Sequence, residues 1–88
     1  MDKEATIARA GSMAYEGAKP EKVIAFLHEA GFNQVDSMLA LRRAFAMSVA
    51  DAKEAMAKSP TWAGSGERLD EAAEEASQLV ALEQKETT

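Results

Sequence analysis

Alanine supplies 19 of the apolar side chains in this chain, beside only 22 larger ones drawn from Leu, Met, Val, Phe, Ile, one Tyr and one Trp. That ratio constrains the fold more than any other feature. A fully buried large side chain contributes about 1.5–3 kcal/mol, whereas ordering each residue costs about 1.5 kcal/mol. A chain of 88 residues therefore folds on a thin margin. Alanine is the strongest helix former, and its small side chain lets helix axes approach closely. The expected fold class is all-α, a small bundle of four to five short helices. Either alanine faces pack tightly, or the core is completed by a partner protein or by a second copy of the chain as a homodimer.

Glycine and proline divide the sequence into five predicted helices. The first covers Asp2 to Gly17, with Ile7, Ala10, Gly11, Ala14 and Ala18 at helical spacing. It is weakened by two internal glycines, each costing about 1 kcal/mol relative to alanine. The second starts at Pro20, where a missing N–H costs nothing. It turns Val23, Phe26, Leu27 and Ala30 to one side and ends at Gly31, a left-handed cap. The third opens at Asn33 and the fourth at Ser48, each with an acid three residues on, Asp36 and Asp51. That spacing lets a side-chain oxygen satisfy a free backbone amide. Met38, Leu41 and Phe45 form the stripe of the third helix; Val49, Ala52 and Met56 form that of the fourth. After "AGSG", the fifth runs from Glu67 to Gln84, with Leu69, Ala72, Ala73, Ala76, Leu79 and Val80 inward. No stretch alternates as a strand does. Residues 1–88 are read as one helical domain, with 83–88 as a disordered tail.

Charge narrows the classes of partner. Residues 1–63 carry equal numbers of acids and bases, so the whole net charge of −5 sits in residues 64–88. There Glu67, Asp70, Glu71, Glu74, Glu75, Glu83 and Glu86 face only Arg68 and Lys85. Non-specific nucleic-acid binding needs clustered Lys and Arg, so nucleic acid is not expected; a basic protein is. The chain has no cysteine, which removes disulfides and thiolate metal sites and fits a cytoplasmic setting. The opening "MDKEATIARAGSMAYEG" lacks the pattern of a signal peptide, and no apolar run approaches the ~20 residues of a membrane span. A soluble protein without membrane association is expected.

The segment "LRRAFAMSVADAKEAM", residues 41–56, resembles the helix-turn-helix half of the C-terminal domain of the bacterial ribosomal stalk protein. Leu41 and Arg42 match its start, Met47 and Val49 stand at its two turn leucines, and Ala52, Lys53 and Met56 match its second helix. A group of short bacterial proteins of unassigned role, with a similar helix pair ending in Ser-x-Thr-Trp, looks closer still. Short corners with "GF" before a helix also resemble ubiquitin-binding three-helix modules. The resemblance implies a bacterial origin and a local helical hairpin. It does not carry over the stalk family's docking of translation factors. Ala46 and Ser48 replace the turn glycines, Leu39 and Ala50 replace surface lysines, and the family's strands give way to helices.

Few side chains suit chemistry. His28 is the only histidine, lies opposite the Val23–Leu27 stripe, and reads as an exposed bystander. Neither Glu29 nor Phe32 completes a metal pattern with it. Nucleophilic catalysis needs a nucleophile beside a base, so no catalytic residue, cofactor or metal is expected. Arg42 falls beside the apolar stripe; its stem covers the core edge and its guanidinium reaches water or Asp51, or it anchors a partner's carboxylate. Trp62 is either a lid on a small core or a binding hot spot. The run Glu67–Glu75 is a solvated face favoured near a helix N-terminus, or a surface for a basic partner. The expected function is a non-catalytic protein-interaction domain, of inhibitor or immunity type in one version. Its candidate contacts are Arg42, Lys53, Trp62, Glu67, Asp70, Glu71, Glu74 and Glu75. The alternative is a helix-turn-helix nucleic-acid binder or regulator reading with residues 48–59, where Lys53 and Lys58 are offset by Asp51 and Glu54.

Overall fold

The computed structural model describes residues 2–63 and 66–86, with side chains described for 2–63 and 68–83. Five α-helices follow in order: α1 (Lys3–Tyr15), α2 (Pro20–Glu29), α3 (Gln34–Phe45), α4 (Val49–Lys58) and α5 (Gly66–Glu86). One 3-10 turn, Pro60–Trp62, stands between the last two. Among the described residues there is no strand, and the all-α bundle is the observed fold.

The first three connections share one construction. Each begins with a residue of positive φ: Gly17 at 98°, Gly31 at 91° and Ala46 at 53°. An apolar residue comes next, whose amide donates to a carbonyl five residues back. These bonds are Ala18 N to Met13 O (2.9 Å), Phe32 N to Leu27 O (3.1 Å) and Met47 N to Arg42 O (3.2 Å). That bond, closing the last carbonyls of the helix, defines the Schellman motif. The third residue is extended and caps the next helix: Lys19, Asn33 and Ser48. Asn33 Oδ1 accepts from Asp36 N at 2.8 Å, and Ser48 Oγ accepts from Asp51 N at 3.1 Å, as the spacing predicts.

Two expectations change here. Gly17 does not sit inside the first helix but ends it, because the chain needs a left-handed residue there. Ala46, where a glycine is the ordinary choice, takes that conformation despite its Cβ. Gly11 alone is internal to α1, and a Cβ there meets no atom within 4 Å.

α3 is the middle of the bundle and touches α1, α2, α4 and α5. Its contact with several neighbours explains why four of its residues, Ser37, Met38, Ala40 and Leu41, are buried. The core adds Val23, Ile24, Leu27, Phe32, Met56 and Leu69, with Ala10, Ala52, Ala72 and Ala76 where helices approach closely. Thr6 is buried as well, and its Oγ1 donates to the Asp2 carbonyl at 3.1 Å. Lys3 ties the start of α1 to the start of α3 through Asp36 at 2.8 Å, with its ammonium 5.9 Å from the centre of the Phe32 ring.

α5 lies against α3 and α4. Its early residues Arg68, Glu71 and Glu75 border Asn33–Val35 at the start of α3, and Ser77 and Val80 border Arg42 and Ala46 at its end. α5 therefore runs parallel to α3. At 1.5 Å per residue, 21 residues extend about 31 Å, against about 18 Å for α3. The last turns of α5 outrun the bundle. Leu79, expected inside, is 40% exposed and Leu82 is 57% exposed, because helical spacing puts both on the side of α5 that carries Glu71 and Glu75, away from its Leu69–Ala76 edge. The helix also runs to Glu86, into the segment read as a tail; Thr87 and Thr88 lie outside the described residues.

Two substitutions test this packing. Leu41, fully buried, changed to Asp places an unpaired carboxylate among apolar side chains; the helical circular dichroism signal should collapse. Ala46→Gly should raise stability by about 1 kcal/mol by relieving the left-handed alanine, and Gly31→Ala should lower it by a similar amount. Thermal melts should move by about 4–8 °C in opposite directions.

Candidate functional site

The local sequence places most acids of α5 on its outer side because the inward positions are Leu69, Ala72 and Ala76. Helical periodicity then leaves Asp70, Glu71, Glu74 and Glu75 exposed. They are not equivalent. Asp70 forms an ion pair with Lys53 of α4, so these two expected contacts neutralise each other. Among the described residues no ion pair involves Glu71, Glu74 or Glu75, and Arg68 is the nearest cation in sequence. Glu71 and Glu75, one turn apart, border a shallow groove of about 350 Å³ beside Asn33–Val35 of α3. The Glu67 side chain lies outside the described residues.

Arg42 stands elsewhere. It is half-buried in the last turn of α3 and lines a second open groove of about 540 Å³ with Met47, Val49, Ser77 and Val80. No ion pair involves it among the described residues, so Asp51 is not its partner. Its backbone carbonyl, by contrast, accepts from both Ala46 N and Met47 N. Arg42 thus sits at the corner that sets the hairpin.

Trp62 is placed by the 3-10 turn, which Ser59 caps by accepting from Thr61 N at 3.2 Å. The indole packs half-buried against the core and on the α2 side meets the exposed His28. Their ring centroids are 4.9 Å apart and the planes 85° apart, an edge-to-face contact favoured by the ring quadrupole. Among the described residues the Trp62 Nε1 is buried without a hydrogen-bond partner. This arrangement is that of a lid. The 3-10 turn packs on α2 and α4, whereas the acids lie on α5, which packs on α3 and α4. The structure therefore groups Glu71, Glu74 and Glu75, pairs Lys53 with Asp70, and leaves Arg42 and Trp62 at separate places.

Sequence reasoning missed Leu79 and Leu82. The signal that could have found them is their helical spacing from the outward Glu71 and Glu75. Among the described residues no group of His, Cys, Asp and Glu is arranged to hold a metal ion. No helix there is long and apolar enough to cross a membrane. No family model matches the chain, and neither a curated protein nor a solved structure matches it.

Trp62→Ala should cost about 2 kcal/mol, below the usual loss for a fully buried tryptophan, because the indole is only half covered. Trp62→Phe should be close to neutral, since it keeps the ring and removes an unpaired N–H. Urea unfolding of both variants measures the difference.

Proposed function

We propose that this chain is a non-catalytic protein-interaction domain that docks a basic partner protein through α5, held on the α3–α4 hairpin. The reading rests on one observation: Glu71, Glu74 and Glu75 stand exposed together, without an ion pair among the described residues, while Lys53 and Asp70 cancel beside them. Exposed acids on a rigid helix raise the potential for a basic surface and speed its capture. An inhibitor or immunity-type role fits this, because fast association at low ionic strength is what charge of one sign supplies. A nucleic-acid role has less support. Of the lysines on α4, Lys53 is engaged by Asp70 and Lys58 by Glu54 at 3.0 Å, so the helix offers phosphate little unpaired charge.

Reversing the three charges, as Glu71→Lys, Glu74→Lys and Glu75→Lys together, should leave the helical spectrum intact. It should slow partner association by about tenfold or more at low salt, less at high salt. A pull-down from the native host, comparing both forms at two salt concentrations, identifies the protein lost with the charges. An unchanged set of retained proteins would mean that the acids only solvate the helix. A gel shift at low salt that gives a complex at micromolar protein would move the assignment to nucleic acid.

A further inference from the structure

α5 carries more than charge on its outer side. Positions 71, 75, 79 and 82 follow one another at steps of four, four and three, so Glu71, Glu75, Leu79 and Leu82 form one stripe along the helix. Two carboxylates with no ion pair among the described residues occupy its first half. Two leucines, 40% and 57% exposed, occupy its second half. Leucines exposed on the outer side of a helix leave apolar area in water that a partner can cover.

A second copy of the chain is a poor occupant. Pairing two α5 helices antiparallel, leucines against leucines, offers Glu71 and Glu75 no cation from the other stripe, because positions 71, 75, 79 and 82 hold only Glu and Leu. A parallel pairing sets Glu71 and Glu75 against themselves. Cover for the stripe must instead bring apolar side chains at one end and cations at the other.

We infer that the partner presents an amphipathic helix, with two apolar residues about one turn apart followed or preceded by Lys or Arg, and lays it along this stripe. The inference rests on the proposed docking function and specifies the partner's element. The cations meet Glu71 and Glu75 beside the α3 groove; the apolar pair covers Leu79 and Leu82. Helix-in-groove recognition of this kind reads anchors at successive helical turns. The stripe spans 12 residues, about three turns or 17 Å.

Two synthetic peptides of about 14 residues and identical composition of Lys, Leu, Ala and Gln test it. One places Leu and Lys on a single face in the matching order; the other distributes them around the helix. Each is titrated into the isotope-labelled full chain, followed by NMR, at about 50 mM and about 300 mM salt. The matched peptide should bind about tenfold tighter or better, with shifts centred on Glu71, Glu75, Leu79 and Leu82. In Leu79→Ser/Leu82→Ser its affinity should fall to that of the distributed peptide. In Glu71→Gln/Glu75→Gln both peptides should weaken and lose salt dependence. Leu82→Ser alone, at the more exposed position, serves if the double variant melts early, and should give part of the loss. Equal binding of the two peptides overturns the amphipathic helix but leaves an acidic docking face standing. Failure of both peptides to bind removes both readings. Sedimentation that shows a dimer abolished by Leu82→Ser assigns the stripe to a second copy and overturns the inference.

Discussion

Each of the first three helices ends on a residue with positive φ, and the chain then needs only one apolar residue and one extended cap before the next helix begins. Connections this short leave successive helices no choice but to be neighbours. The repeated corner therefore supplies most of the topology before any core contact is made. The apolar residue in each corner serves both sides: its amide closes the preceding helix, and its position before the cap is where a staple to the next helix belongs. Phe32 is the most fully used of the three, buried at 8% exposure with its amide bonded to Leu27 O.

This construction explains how a chain poor in large apolar side chains forms a core. α3 is reached from both sides by tight corners and is later joined by α5, so its few large residues are shared among several helices. Met38 and Leu41 are wholly covered. Elsewhere Ala10, Ala40, Ala52, Ala72 and Ala76 do the packing, and close approach replaces bulk. The cost of this tightness is visible in Ser37, whose buried hydroxyl has no hydrogen-bond partner among the described residues.

The same geometry separates charge from core. α5 is the last element laid on the bundle, and its Leu69–Ala72–Ala76 edge is what it buries against α3 and α4. Its remaining surface collects the acids that give the chain its net charge. Of these, Asp70 is drawn into a contact with α4, while Glu71, Glu74 and Glu75 stay in water. The exposed leucines Leu79 and Leu82 lie on the same outward side as Glu71 and Glu75.

Capping chemistry was the most legible part. Asn33, Ser48, Pro20 and Gly31 act within a few residues of themselves, so their roles can be read without knowing what packs nearby. The acidic bias of the last segment and the buried stripes through Leu27, Leu41 and Met56 were legible for the same reason, since helical period is local. The corner at Ala46 was not, because alanine carries no mark of a left-handed backbone; only the demand of two rigid helices on either side imposes it. Gly17 was misread inside a helix, since a glycine shows permission for positive φ without showing its use. The fates of Lys53, Trp62 and Leu79 also lay outside sequence reasoning. Each depends on what another helix places opposite: Asp70, the His28 ring, and nothing. By itself, then, the sequence determined which segments are helical, where the capped helices start, and where the charge lies, because those are properties of neighbouring residues. Tertiary structure alone decided which acids stay unpaired and which apolar residues stay uncovered, because both depend on the relative lengths and directions of helices distant in the chain.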